Sequence, residues 1–195
     1  MFQELSSCPA TMQAAKAADC YGLCPGNIVM QGDADMAYTQ SFLGGTKTWV
    51  RLPKEQWPQE WIKKGYKDPV CPLVRALYGH PDSGTFWEHH AEEYLGKVGS
   101  KLMPDWRSCF FDPQLDLFLI VNVDDFEMAG PCKNMKEGWT LIQKGLTIGD
   151  PEPVNRFLGC EHGIRQATIP EEIRPADQFR SHLRSQSHSL KLRTW

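Results

Sequence analysis

The sequence predicts an α+β fold in which helices pack on one face of an antiparallel sheet. Short apolar runs with turn-forming neighbours, such as those at 27–31 and 117–123, indicate strands. Residues 83–98 place apolar side chains at three-to-four spacing, which indicates an amphipathic helix. The order strand, helix, hairpin, helix and strand along the chain suits a sheet that is covered by helices on one side.

The first half of the chain gives three further elements. An Ala-rich stretch at 11–18 favours a helix, and the Pro-Gly that follows it should end that helix. The strand at 27–31 is expected to end near Asp33. Residues 44–70 contain Gly-Gly, three prolines and five lysines, so we expect an irregular hairpin or loop at the surface.

The second half of the chain alternates apolar runs with turn signals in the same way. Asp-Pro-Gln-Leu-Asp marks one turn, and a pair of adjacent aspartates marks the next. The expected elements are a hairpin formed by 109–111 and 117–123, a turn at Asp124-Asp125, a helix at 134–145 and a strand at 157–164.

Composition is that of a globular protein with a length of 195 residues, 41% hydrophobic and 23% charged. No apolar run approaches the roughly 18 residues that span a bilayer, and the N-terminus lacks the order of a signal peptide. We therefore expect an intracellular protein, cytoplasmic or nuclear, without a membrane partner. Seven scattered cysteines without a C-x-x-C pair are typical of reduced thiols.

The net charge of −3 is unevenly distributed along the chain. Residues 165–195 hold six Lys or Arg and three acidic residues, whereas the preceding part has a net charge of −6. This balance argues against a strongly electropositive nucleic-acid groove over the globular part. Because residues 165–195 are polar and have no sustained periodicity, we expect them to form a disordered basic tail.

Two expected strands end on carboxylates. Asp33 ends the first, and Asp124 and Asp125 follow the apolar run LFLIVNV. If these strands are neighbours in one sheet, the three carboxylates converge and repel one another unless a cation neutralises them. Mg²⁺ suits such a group, because it binds a few carboxylates and shares its remaining positions with water and phosphate oxygens. Two such ions would support nucleotidyl transfer. An aspartate pair can also serve simply as a turn.

Five sequence boxes in order resemble those of the reverse transcriptases of copia-type long-terminal-repeat retrotransposons. The resemblance extends over residues 10–164. QGDADMAY is similar to the family's Q-M-D-V-K-T-A-F, VCPLVRALYG to V-C-K-L-K-K-S-L-Y-G, VNVDD to Y-V-D-D, and FLGCEH to F-L-G-I-E. Trp87 stands where the family has the tryptophan of L-K-Q-A-P-R-Q-W. The resemblance implies a polymerase palm, an antiparallel sheet with helices on one face, and RNA-directed DNA polymerase activity.

The resemblance also implies roles for individual residues. Asp33, Asp124 and Asp125 would be the catalytic carboxylates, and Asp33, Asp124 and the carbonyl of Ala34 would be ligands of Mg²⁺ or Mn²⁺. Tyr38 would be the steric gate that selects deoxynucleoside triphosphates. The other implied positions are the nucleotide-binding residues Met36, Ala37 and Gly79, and the primer-binding residues Phe157, Leu158 and Gly159.

Departures from the family pattern leave two alternatives to an active polymerase. Asn122 replaces the tyrosine of the Y-V-D-D box, Asp35 replaces a lysine, and Lys16 is the sole basic residue among the first 46. We expect a residual fingers segment at 1–26, a palm at 27–164, and neither a full thumb nor an RNase H domain. The chain would then act with the remaining polyprotein domains, be an inactive retroelement fragment, or bind nucleic acid through its basic tail without catalysis.

Overall fold

The computed structural model describes residues 10–163, whose helices and strands belong to one unit ending at Glu161. None of the described helices has the length and apolar character needed to cross a membrane. The helices are α1 (Met12–Gly22), α2 (Ala37–Gln40), α3 (Gln59–Lys63), α4 (Ser83–Lys97) and α5 (Cys132–Gln143), with a 3₁₀ turn at Lys54–Gln56. The strands are β1 (Asn27–Asp33), β2 (Trp49–Arg51), β3 (Val70–Pro72), β4 (Lys101–Leu102), β5 (Cys109–Asp112), β6 (Leu117–Asn122), β7 (Asp125–Pro131), β8 (Glu152–Pro153), β9 (Arg156–Phe157) and β10 (Cys160–Glu161).

A six-stranded antiparallel sheet in the order β4-β5-β6-β7-β1-β8 forms the centre of this unit. Strands β5, β6 and β7 follow one another as hairpins, whereas β1 comes from the N-terminal part of the chain and inserts between β7 and β8. All seven residues of β1 pair with β7, from Asn27 opposite Pro131 to Asp33 opposite Asp125. The α+β fold class is therefore confirmed.

The helices lie on both faces of the sheet, and the prediction of helices on one face is wrong. In β6, Leu117, Leu119 and Val121 belong to the apolar cluster that contains α4 and α5. Phe118 and Ile120 belong to a second cluster that contains the buried alanines of α1. Successive strand residues point to opposite faces, so these clusters lie on opposite sides of the sheet. A strand covered on both sides needs apolar residues at every position, which explains the unbroken run LFLIV.

The small hairpin of β2 and β3 forms a separate two-stranded sheet, as expected for an irregular surface hairpin. No residue from 42 to 75 is buried, so this part of the chain has no core of its own. It is joined to α2 by the guanidinium of Arg75, which donates a hydrogen bond to the carbonyl oxygen of Gln40 at 2.6 Å and lies over the ring of Phe42.

Three predicted boundaries change in the structure. The helix expected at 134–145 is α5, which begins and ends two residues earlier. The turn expected at Asp124-Asp125 has Val123 and Asp124 at its centre, and Asp125 already belongs to β7. In place of one strand at 157–164 there is the hairpin of β9 and β10, because two positive-φ residues make a tight turn between them. The predicted tail at 165–195 lies outside the described residues.

Candidate functional site

Three carboxylates lie together where β1 ends and β7 begins. Asp33 and Asp125 are direct partners across the two strands, so their side chains project from the same face of the sheet. Asp124 occupies the turn before β7, and its carbonyl oxygen accepts a hydrogen bond from the backbone N–H of Ala34 at 2.8 Å. The structure therefore brings the three expected metal ligands, Asp33, Ala34 and Asp124, to the same end of the sheet as Asp125.

Desolvation and the neighbouring carboxylates raise the pKa values of Asp33 and Asp125. Desolvation raises the pKa of Asp33, and the charges of Asp124 and Asp35 raise it further. Desolvation also raises the pKa of Asp125, followed by the charges of Asp124 and Asp33, while a hydrogen bond from Asn122 acts in the opposite direction. All the charged groups that shift these two pKa values are carboxylates, so the site would gain electrostatic stabilisation from a bound cation.

The turn that carries Asp124 has an unusual backbone. Val123 has a φ of 59°, a left-handed conformation that is costly for a β-branched residue. Its carbonyl oxygen accepts a hydrogen bond from the indole N–H of Trp87 at 2.5 Å, and the Trp87 side chain is buried in the core between α4 and the sheet. This bond ties the turn to α4 and so fixes the position from which the Asp124 side chain projects.

The residues expected to contact a nucleotide follow directly after the first carboxylate. Met36 is exposed and has a left-handed backbone, and Ala37 begins α2 with a fully buried side chain. The pKa of Tyr38 is raised by desolvation first, then by Tyr78 and by Asp124. Tyr38 is thus close enough to Asp124 to sense its charge, as a residue beside a shared site would.

Gly79 is close to Tyr38, because Tyr78, the residue before Gly79, packs against the Tyr38 ring. The rings of Tyr38 and Tyr78 are 4.5 Å apart between centroids. Gly79 has a φ of 94°, which favours glycine, and a Cβ there would meet no atom within 4 Å. The backbone at this position is therefore open to the approach of another molecule.

Two supporting residues were missed by the sequence-based predictions. The Gln40 side chain donates hydrogen bonds to the carbonyl oxygens of Asp35 and Thr147, and its own oxygen accepts one from the N–H of Thr147. This amide fastens α2 to the loop that follows α5. For Trp87, the sequence predicts a match to the tryptophan of the family's L-K-Q-A-P-R-Q-W box but not the hydrogen bond to Val123. Neither the contact of Gln40 with Thr147 nor that of Trp87 with Val123 has a sequence signal, because each joins residues more than 30 positions apart.

The predicted primer-binding residues form the turn of the hairpin of β9 and β10. Leu158 and Gly159 have φ values of 47° and 77°, and Phe157 is buried in the cluster under α1. The side-chain oxygen of Gln31 accepts a hydrogen bond from the N–H of Arg156 at 3.4 Å, which links this hairpin to β1. Primer binding at these residues stays a prediction.

Positive charge is concentrated in one surface segment, residues 42–78. The segment contains seven Lys or Arg and three Asp or Glu, a net charge of +4. It also carries exposed aromatic rings at Phe42, Trp49, Tyr66 and Tyr78. The globular part therefore has a basic, aromatic surface segment although its net charge is negative. The net charge of the whole part does not reveal this local excess of positive charge.

The chain matches no protein-family model, and no curated protein is significantly similar to it.

Proposed function

We propose that this chain is a palm-like domain of a copia-type reverse transcriptase, an RNA-directed DNA polymerase that adds deoxynucleotides to a primer on an RNA or DNA template. The observation that carries the proposal is the direct pairing of Asp33 with Asp125, beside Asp124 in the adjoining turn. Chain segments 92 residues apart, at Asp33 and Asp125, thus contribute carboxylates to one end of one sheet. The five ordered sequence boxes support the same assignment.

The donor set fits Mg²⁺ or Mn²⁺. Asp33, Asp124 and the carbonyl of Ala34 would be the ligands, and all are oxygen donors of the kind that these hard cations prefer. Desolvation first and the neighbouring carboxylates second raise the pKa values of Asp33 and Asp125, and a cation would relieve the repulsion among the carboxylates. When bound, a pair of such ions would activate the attacking hydroxyl and stabilise the leaving pyrophosphate.

Residues other than the metal ligands would bind the incoming nucleotide and hold the Asp124 turn in position. Tyr38 packs against the ring of Tyr78 and would stand against the sugar of an incoming deoxynucleotide, where its ring would leave no room for a 2′-hydroxyl. The exposed left-handed backbone at Met36 would face the triphosphate, and the open backbone at Gly79 would admit the base pair. Trp87 would keep the Asp124 turn in place during these contacts.

Calorimetric titration with Mg²⁺ and Mn²⁺ tests the assembled site. We expect the original chain to bind ions at this site, and Asp33→Asn and Asp124→Asn each to lose these ions, because both carboxylates would hold the same ions. Asp116→Asn is a matched control, since it makes the same charge change in a left-handed turn before β6. Binding of the same number of ions by the original chain and by both site variants would refute a shared metal centre.

Primer extension then tests the chemistry. A chain with polymerase activity extends an oligo(dT) primer on poly(rA) with thymidine triphosphate and Mn²⁺, and Asp124→Asn abolishes the extension. Metal binding without extension, also when the remaining polyprotein domains are supplied, would favour the inactive fragment.

A second candidate function is nucleic-acid binding without catalysis, and the surface of residues 42–78 favours it. Exposed aromatic rings among basic side chains suit single strands, because bases stack on the rings and lysines neutralise phosphates. Replacing both Lys63 and Lys64 with Gln should reduce the slope of log affinity against log salt for a single-stranded RNA by about 1.4. The same double change at Lys133 and Lys136, on α5, is the control. Equal slopes in all three proteins would exclude this surface.

A further inference from the structure

A second pair of carboxylates lies on the α1 face of the sheet, outside the residues assigned to the polymerase site. Glu127 is in the middle of β7, two residues beyond Asp125 and on the same face, at a distance of about 7 Å along the strand. Asp19 projects from α1, which packs on this face, and its carboxylate oxygen is within 4.8 Å of a Glu127 oxygen.

Glu127 is unusual because its side chain is completely buried and charged groups are rarely buried without a partner. Neither of its carboxylate oxygens has a hydrogen-bond partner among the described residues. A buried carboxylate in this state is costly unless something compensates for its charge. Either a proton or a bound cation can supply that compensation.

The neighbours of Glu127 within the sheet do not supply a donor. Ile120, its partner in β6, is apolar. Gln31, its partner in β1, donates its side-chain N–H to Glu152, and its side-chain oxygen accepts from the backbone N–H groups of Asn155 and Arg156. On α1, the carboxylate of Asp19 lies within 4.8 Å of Glu127, and it adds negative charge and so increases the need for a cation.

We propose that Asp19 and Glu127 bind a divalent cation between α1 and the sheet, at a site separate from Asp33, Asp124 and Asp125. Carboxylate oxygens favour hard cations such as Mg²⁺, Mn²⁺ or Ca²⁺. Asp19 is partly exposed, so the ion reaches Glu127 from the solvent along the helix. The ion joins α1 to the central strand of the sheet and neutralises the buried carboxylate.

Binding of Mn²⁺ alone tests the proposal, with the electron paramagnetic resonance signal of free Mn²⁺ as the readout. The full chain is first freed of metal with a chelator. We expect the Asp33→Asn variant to keep the Mn²⁺ site between α1 and the sheet, and the Glu127→Gln variant to lack this site. The variant that combines Asp33→Asn with Glu127→Gln should bind no Mn²⁺. Asp19→Asn should weaken this site by roughly tenfold or more. Glu137→Gln, the same change at an exposed position of α5, should leave the site unaffected.

The thermal midpoint of each protein is measured with and without Mn²⁺, so that folding and binding are followed separately. If Glu127→Gln folds poorly, Asp19→Asn still tests the site, because Asp19 is at a partly exposed position of α1 and its substitution should disturb folding less. Equal Mn²⁺ binding by Glu127→Gln, Asp19→Asn and the original chain would overturn the proposal, as would the absence of any Mn²⁺ site from Asp33→Asn. Failure of the polymerase site appears differently, as unchanged binding in Asp33→Asn.

Discussion

The indole N–H of Trp87 donates a hydrogen bond to the carbonyl oxygen of Val123, 36 residues away, at the turn that presents Asp124. One core side chain thereby connects α4 to a left-handed backbone position beside the carboxylate group. This contact makes the stability of the core and the geometry of the candidate site depend on each other.

Replacing Trp87 with Phe keeps an aromatic ring in the core but removes this hydrogen bond. We expect a loss of about 1 to 3 kcal/mol in the free energy of unfolding, since the Val123 carbonyl loses its donor and some packing is lost. Mn²⁺ affinity at the Asp124 site should fall as well. Chemical denaturation and calorimetry measure the two effects.

Trp139→Phe is the matched control for Trp87→Phe. Both tryptophans are 2% exposed and share one core cluster, but the indole N–H of Trp139 has no hydrogen-bond partner among the described residues. Removing an unpaired N–H costs less than removing a bonded one. A Trp139→Phe protein that is destabilised as much as Trp87→Phe would contradict the importance of the bond to Val123.

Backbone strain at Val123 predicts that Val123→Gly stabilises the protein. A β-branched residue at a φ of 59° costs about 1 to 3 kcal/mol, which glycine avoids at an entropic cost of about 0.5 to 1 kcal/mol. Val74→Gly is the control, because Val74 is also exposed and has no positive φ. It should only destabilise. Denaturant midpoints that move in the same direction for both variants would argue against strain in the Asp124 turn.

The stability of the chain should fall as pH rises from about 4.5 to about 8 when a chelator removes divalent cations. Burial raises the pKa of Glu127 from 4.5 to about 8, with a smaller contribution from the charge of Asp19. Below pH 4.5 the carboxyl is protonated in both folded and unfolded chains, so it imposes no charge penalty. Between the two pKa values the unfolded chain releases the proton first, which favours unfolding by at most about 1.4 kcal/mol per pH unit.

Glu127→Gln isolates the contribution of this carboxyl group. The variant should have a flatter dependence of the unfolding free energy on pH across the same window, and above pH 8 it should be more stable than the original chain. Identical pH profiles for the two proteins, measured by denaturation in chelator, would show that Glu127 is not held in a buried environment.

Two helical glycines should respond in opposite ways to substitution by alanine. A Cβ at Gly138 of α5 would collide with the Leu117 side chain of β6, whereas a Cβ at Gly96 of α4 would meet no atom within 4 Å. We expect Gly138→Ala to destabilise the protein by about 1 to 3 kcal/mol and Gly96→Ala to stabilise it by about 0.5 to 1 kcal/mol. Thermal denaturation compares them. A harmless Gly138→Ala would mean that α5 packs less closely on the sheet.

Several features could be predicted because their signals are local. Turn residues and apolar runs predicted β1, β6 and the hairpin before Asp125, and three-to-four spacing predicted α4. Even the covering of both faces was present in the sequence: the unbroken run LFLIV at 117–121 is typical of a strand buried on both sides. The prediction of one covered face rests on the order of the elements along the chain, and that order does not specify on which side of the sheet each helix packs.

Other features depend on contacts between distant parts of the chain. The burial of Glu127 arises because α1 covers the middle of β7, and its position in the sequence, two residues after Asp125, does not reveal this. The hydrogen bond from Trp87 to Val123 and the one from Gln40 to Thr147 likewise each require two distant segments of the chain to pack together. The grouping of positive charge at 42–78 was visible in the sequence, but its exposure follows from the absence of buried residues at 42–75.

The sequence by itself determined the α+β class, the chemical identity of the three carboxylates and the strand ends on which they lie, because these follow from residue type and short-range spacing. The tertiary structure alone decided that β1 pairs with β7 in the register that sets Asp33 opposite Asp125, and that a helix covers Glu127. Strand pairing and burial result from the packing of segments about 90 residues apart, and no local pattern in the sequence specifies them.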